Sequence, residues 1–434
     1  MSAEPVTGVG QDVLLARAFL NRIAEPASVP LWWAVRQAGP LEVARAIRAG
    51  QAGDLIDGGV SDAVLARAAE ADPYADLEAA ERHGIRMVVP ESQEWPHFAF
   101  SALERAGERR AVRWLRGDKK QSESGEPVPP LALWIRGPLE LSSVGVRSVA
   151  LVGARNHTDY GAYVTDLLAR GLSEAGFAIV SGGALGIDGA AHRATLDVGG
   201  ETVLVSAGGL DEPYPPAHAG LFERVAESGL CVSESPPGSA PRRRRFLTRN
   251  RLIAAFGTGT VVVEAAYRSG ALNTATHCTT LGRMLMAVPG PITARESAGC
   301  HRILARDEGR ARLVTCVNDV LELVGGARDA RTEPDPERRG AFDLASRLDT
   351  VEALDRQVFD GFPARAWTDP GRLAAATGLS VINVMRSLPS LELAGLVESS
   401  VQGYRVSSRL WSSVAGRTAG ALTGAETRSA GTTP

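Results

Sequence analysis

Cysteine is scarce in this chain: four among 434 residues (Cys231, Cys278, Cys300 and Cys316), none of them in a C-x-x-C pair. That excludes the paired spacing of a structural zinc site and any dense disulfide frame, and it suits reduced thiols in a cytosolic protein. No apolar run comes near the roughly 18–20 residues needed to cross a bilayer, so no membrane role is expected. The first residues lack a basic stretch followed by an apolar core and a cleavage site, which points away from secretion. An overall basic charge is missing too. Lys and Arg number 47 against 50 Asp and Glu, a net charge of −3, which argues against a histone-like coat and leaves room for one basic groove.

Positive charge is instead concentrated in one place. Between Arg242 and Arg251 the chain reads RRRRFLTRNR, six arginines in ten residues with no acid among them. A guanidinium is a rigid, permanently charged fork that suits phosphate oxygens. Runs of this kind are often solvated tracts or targeting signals. Here the apolar stretch Leu252 to Phe256 follows at once, so the run is expected inside a packed domain that binds a polyanion.

The length exceeds one ordinary core, and 44% hydrophobic with 22% charged residues is the composition of a globular protein of two or three domains. Residues 1–80 are rich in Ala and Arg, with Leu31, Trp32, Val35, Val43 and Ile47 at helical spacing, and predict a small helical domain. Residues 118–130 (DKKQSESGEPVPP) predict an exposed loop. From Ser148 the texture changes. The runs SVALVG, FAIVSG, TVLVSA, LCVSE, GTVVVEA, MLMAVPG and RLVTC alternate with helical patterns at 160–176, 187–199, 216–228, 248–256, 270–283 and 318–324. Continuous apolar strands with helices between them predict an α/β domain over 81–325, a parallel sheet with helices on both faces. A linker is expected over 326–345, a winged-helix-like domain over 346–410 and a disordered tail over 411–434. In the winged-helix reading Ser380–Leu388 is the recognition helix, with only Asn383 and Arg386 as polar readers.

In an open parallel sheet, ligands lie beyond the carboxyl ends of the strands. Two glycine loops fall there: Gly153-Ala154-Arg155, and Ser181-Gly182-Gly183-Ala184-Leu185-Gly186. Neither is G-x-G-x-x-G or G-x-x-x-x-G-K-[ST], so dinucleotide and P-loop readings are poor. Glycine lets backbone N–H groups approach a phosphate, and the next helix adds the partial charge of its N-terminus. The expected phosphate-binding set is Gly153, Arg155, Ser181, Gly182, Gly183, Gly186, Arg249, Asn250 and Arg251. Arg243 and Arg244 join it from a loop, Arg242–Arg245, in which two arginines stay solvated. Arg249 and Arg251 are expected at a helix start, where they share one phosphate with its N–H groups. Asp188 and His192 read as a structural pair or helix cap, and Glu264 as a buried brace. Tyr214 stays open between base stacking and packing. No catalytic residue, metal ligand or cofactor is expected.

Six motifs occur in order from 153 to 291: GARxxxxYG, SGGALGIDGAAHRATL, GGLDEPYPPAHAGL, SESPPGSAPRRRRFLTRNRLIAA, VVVEAAYRSGALNTA and GRMLMAVPGP. The set resembles the DNA-processing protein A (DprA/Smf) family over roughly residues 85–410. The resemblance implies an extended Rossmann-like fold in a cytoplasmic, non-enzymatic homodimer. Such a protein binds single-stranded DNA, protects it on uptake and helps load RecA recombinase in natural transformation. The family's basic residue three positions before the phenylalanine corresponds to Arg243. Its FPxRNR stands here as Phe246-Leu247-Thr248-Arg249-Asn250-Arg251, without the proline, and its GSR as Gly153-Ala154-Arg155. The rival is a nucleotide phosphoribohydrolase-like enzyme on the same sheet, with Arg155 holding phosphate and Glu264 as the carboxylate. Its Pro-Gly-Gly ahead of Gly257 is absent.

Overall fold

Alternation inside each apolar run decides which helices cover which face of the sheet. The computed structural model describes residues 9–56, 59–120, 122, 125–306, 311–325, 351–363, 366–400 and 402–407. Its strands are β1 (Arg86–Val88), β2 (Leu133–Arg136), β3 (Ser148–Val152), β4 (Ala178–Ser181), β5 (Thr202–Ser206), β6 (Leu230–Ser233), β7 (Gly259–Val262), β8 (Met284–Ala287) and β9 (Ala311–Leu313). Before the parallel strands come α1 (Gln11–Ile23), α2 (Val29–Ala38), α3 (Pro40–Arg48), α4 (Asp62–Glu70), α5 (Pro73–Arg82), α6 (His97–Leu115) and α7 (Leu141–Val144). Among those strands lie α8 (Asp159–Glu174), α9 (Ile187–Asp197), α10 (Ala219–Ser228), α11 (Arg243–Phe256), α12 (Gly270–Thr280) and α13 (Ala298–Arg306), followed by α14 (Val317–Leu323).

The nine strands form one sheet in the order β1-β2-β6-β5-β4-β3-β7-β8-β9. From β3 to β9 every pairing is parallel; β2 joins β6, and β1 joins β2, antiparallel. Val149 and Leu151 of β3 pack with Leu168, Leu172 and Ala191 of α8 and α9. Ala150 and Val152 face the other way, into a core with Leu252 and Phe256 of α11. Both faces are thus dry, which is why the strands read as unbroken apolar runs rather than alternating ones.

The N-terminal helices differ from expectation. They are not a separate domain ending at residue 80, because Met1–Ala327 packs as one unit. Phe19, Leu20, Trp32 and Val43 share a core with Ala111, Val128 and Leu131. Asn21 bridges two elements of the sheet: it accepts from Trp134 Nε1 at 2.8 Å and donates to the Glu234 carbonyl at 2.9 Å. A piece starting near residue 80 would strip these contacts and expose apolar core. Residues 118–130 also depart from the exposed loop expected. Glu126 and Val128–Pro130 are buried, with Glu126 held by Arg110 at 2.7 Å.

The second unit, Arg328–Pro434, has three described helices, Ala353–Asp360, Pro370–Thr377 and Val381–Leu393, and a hairpin of Val397–Ser400 with Gly403–Val406. Asp369 and Ser380 cap the second and third helices through Arg372 N and Asn383 N. The third helix buries Val384, Leu388 and Leu391 but leaves Ile382 72% exposed. The linker over 326–345 and the tail over 411–434 lie outside the described residues.

Candidate nucleic-acid interface

The strand order reverses beside β3. From β3 the chain winds through β4 and β5 to β6, then α11 carries it back to β7 on the other side of β3. A crevice opens at such a switch point, outside the carboxyl ends of the strands. Here it is a cleft of about 390 Å³ lined by Gly153–Asn156 after β3, by Phe246, Arg249 and Asn250 of α11, and by Arg268–Ala271 after β7.

Gly153, Arg155, Arg249 and Asn250 therefore come together as expected from the sequence. Arg155 is exposed, with its guanidinium 5.5 Å from the centroid of the Phe246 ring. Tyr214, 45% exposed, has its ring 5.5 Å from that of Phe246. Asn250 donates to Asn273 Oδ1 at 2.9 Å and so ties α11 to α12. Ser269 caps α12 through Ala271 N, which leaves a helix N-terminus in the cleft wall.

Other expected residues stand elsewhere, and the reasons are local. Ser181, Gly182, Gly183 and Gly186 do not line the cleft. Ser181 Oγ donates to the Leu151 carbonyl at 2.6 Å. The backbone of Gly182 and Ala184, which could have cradled a phosphate, instead faces the carboxyl of Asp188 and draws its pKa down against burial. Gly186, at φ +87°, lies so close to the carbonyl of Ala154 that a Cβ would collide with it. The loop is thus packed around a carboxyl group that the protein supplies itself. Burial pushes the Asp188 carboxyl above its ordinary value, against the pull of Arg249. Arg249 is buried as well and is brought down to about 10 by that burial. It donates to the Gly182 carbonyl at 2.6 Å and to the Val205 carbonyl, while its Nε has no partner.

The arginine run is helical earlier than expected. α11 starts at Arg243, so Arg243–Arg245 form its first turn instead of a loop, and Arg249 and Arg251 lie in its middle. Two residues apart on a helix is about 200°, so these two side chains leave opposite sides. Arg251 turns away from the cleft. It is fully buried, with Nη1 and Nη2 on Glu234 at 2.6 and 2.7 Å and Nε on the Val128 carbonyl at 2.9 Å. It cannot share a phosphate with Arg249. Arg243 and Arg244 are exposed at the helix start, and neither lines the cleft. Arg245 reaches Glu25.

Sequence reasoning missed Arg268 and Arg295, both exposed and both in the cleft wall. Arg268 could have been found, since it directly precedes the Ser-Gly that starts α12. Arg295 carries no such signal. Asp188 and His192, read as a structural pair or helix cap, do not meet, and no side chain caps α9. His192 Nδ1 lies 2.7 Å from Thr202 Oγ1. Glu264 does brace the site: it is buried, and Thr158 donates to it through both N, at 3.0 Å, and Oγ1. Burial carries the Cys231 and Cys300 thiols up to about 12, so both stay protonated and unreactive. Among the described residues no cluster of side chains could hold a metal ion, and no helix is long and apolar enough to cross a membrane.

Residues 119–325 match the family model described as DNA recombination-mediator protein A. A DNA processing protein DprA of Mycobacterium tuberculosis is 42% identical over 395 residues, which cover 90% of this chain and 94% of that one. The Smf protein of Escherichia coli is 40% identical over 277 residues, 63% of this chain and 71% of its own. Among solved structures, DNA processing protein A of Streptococcus pneumoniae superposes with a TM-score of 0.55 at 29% identity, covering 71% of this chain and 97% of that one.

Proposed function

This chain belongs to the DNA recombination-mediator protein A family, and from that premise we propose that it processes DNA by holding a single strand in the switch-point cleft. One observation carries the reading: at the cleft mouth a permanently charged guanidinium, Arg155, is stacked over an aromatic ring, Phe246, with Tyr214 beside it. Cations for the backbone next to flat faces for unstacked bases are what a single strand needs, and a duplex offers no free base faces. Arg268 and Arg295 extend the cationic rim. Arg243 and Arg244, both exposed at the helix start, belong to the same proposed set, for phosphates outside the cleft. Protection of incoming strands, handover to RecA recombinase, a homodimer and a cytoplasmic location belong to the same proposal and rest on family membership. So does a winged-helix identity for the second unit. The exposed Ile382 on its third helix suits a protein partner better than base reading.

Binding through phosphates should show little sequence preference and a log–log salt slope of roughly −0.7 per phosphate neutralised. Arg155→Ala is expected to weaken binding of oligothymidylate about five- to tenfold, roughly 1–1.4 kcal/mol, and equally for other sequences. Fluorescence anisotropy across a salt series reads both effects. Equal affinity for duplex and single strand, or an unaffected Arg155→Ala protein, would sink the reading. The non-enzymatic reading is part of the same proposal. Both oxygens of Glu264 are engaged by Thr158, the N-cap of α8, so using that carboxylate as a base would dismantle a helix start. Free base released from nucleoside monophosphates, and abolished in Glu264→Gln, would restore the phosphoribohydrolase alternative.

A further inference from the structure

A second cleft lies beside the first turn of α11, about 250 Å³ in volume, between Glu25–Ser28, Ser235–Pro236, Gly238–Ala240 and the side chains of Arg67, Arg242 and Arg245. Its charges do not balance. Glu234 in its wall is held bidentately by Arg251, and Arg22 is matched by Asp76. That leaves Arg67, Arg242 and Arg245 facing one acid, Glu25. Arg245 reaches Glu25 through Nε at 3.2 Å and Nη2 at 3.4 Å, and Arg67 reaches it at 3.7 Å. The start of α11 adds to the excess, since its first turn contains no acid and Arg242 caps it with no side-chain bond. Arginines on a helix N-terminus repel both the helix dipole and one another, so the site as built favours an anion.

We propose that this cleft is a second phosphate site for single-stranded DNA, in which Glu25 stands in for a phosphate until the strand displaces it. The inference rests on the reading of the switch-point cleft given above. Phe246 lines that first cleft and Arg245, its neighbour in sequence, lines the second, so a strand leaving one crosses a single helical turn to enter the other. A phosphodiester has the charge of a carboxylate and oxygens that fit the same guanidinium forks. Glu25 can be displaced because its side chain is 43% exposed, whereas Glu234 is locked in place. In this scheme Glu25 sets a length threshold: short strands fill the first cleft only, and longer ones gain by replacing Glu25.

The test uses the full chain and fluorescent oligothymidylates of about 6 and about 25 nucleotides. Glu25→Gln should tighten binding of the long strand about fivefold and steepen its salt slope by about 0.7, leaving the short strand unchanged. Arg242→Glu, at an exposed position, should weaken only the long strand. Glu201→Gln controls for simple loss of negative charge, because Glu201 precedes β5 and sits at the amino ends of the strands; it should change nothing. A Glu25→Gln protein equal to wild type on the long strand overturns the proposal. So does an equal gain on both lengths, or the same gain from Glu201→Gln. Wild-type protein that binds neither length overturns the first-cleft reading along with this one, whereas normal binding with an inert Glu25→Gln overturns this one alone.

Discussion

Arg251→Ala should lower the free energy of unfolding by about 3–5 kcal/mol, a loss of fold and not of a ligand contact. The side chain has no exposed surface, and its three nitrogens serve Glu234 and the Val128 carbonyl. Truncation leaves the Glu234 carboxylate buried without a countercharge. The cost is that of an unpaired buried ion, which exceeds the net worth of the intact pair. The double change Arg251→Met with Glu234→Leu should therefore recover most of the loss, since an apolar pair of similar volume needs no partner. Arg155→Ala, at an exposed position, should shift stability by less than about 0.5 kcal/mol. Urea unfolding followed by circular dichroism separates these cases. An Arg251→Ala protein with a wild-type midpoint and weakened DNA binding would return Arg251 to the cleft.

Acidification from pH 7 to pH 5 should remove about 2 kcal/mol of stability through His192 alone. The ring is fully buried on α9. Thr202 Oγ1 donates its hydrogen to the Ile179 carbonyl at 2.9 Å, so in the 2.7 Å contact with His192 it is the ring Nδ1 that donates. Nε2 is then a bare lone pair with no partner, and a proton placed there would find no acceptor. Burial, with His218, Arg193 and Arg249 nearby, holds the imidazole down to about 3 from its ordinary 6.5. The unfolded chain takes up the proton throughout that window and the folded one does not. Stability is full above pH 6.5 and falls by about 1.4 kcal/mol per unit as pH drops toward 3. Asp188 works the other way: its raised pKa stabilises the fold as pH falls toward its ordinary 3.8. His192→Asn, whose amide can still donate to Thr202, isolates the histidine. Its midpoint should change less between pH 7 and pH 5 than that of wild type, and identical slopes would rule out the histidine as the cause.

The sheet was legible because a strand buried on both faces needs apolar residues at every position, as in Val149 to Val152, and no surface pattern of helices imitates that. The motifs led to Arg155, which lines the cleft, for the same reason: it stands three residues past the end of β3. The start of α11 was hidden because three arginines in a first turn oppose the helix dipole, and a reader of propensities puts them in a loop. What each arginine does was not legible at all. Arg251 is tied to Glu234, 17 residues away, and Arg245 to Glu25, 220 away. No periodicity links residues so far apart, and a guanidinium that neutralises a buried acid is spelled with the same letter as one that waits for phosphate. The N-terminal helices showed their apolar stripes, but a stripe does not say what covers it. Nor did the glycines of Ser181–Gly186 reveal that Asp188 would fill the space between them.

The bridge from Asn21 to the Glu234 carbonyl joins residues 213 positions apart, and Arg22 reaches the Pro237 carbonyl in the same way. A growing chain leaves the ribosome from its first residue, at about 5–20 residues per second. The apolar faces carrying Phe19, Leu20 and Trp32 are therefore made early, but Ala111, Val128 and Leu131, which share their core, emerge about 5–20 seconds later, and the carbonyl that Asn21 reaches later still. During that interval these helices present an uncovered greasy layer to the cell. Substitutions at Asn21 or Trp134 should accordingly lower the yield of soluble protein during synthesis more than they lower the stability of molecules that have already folded.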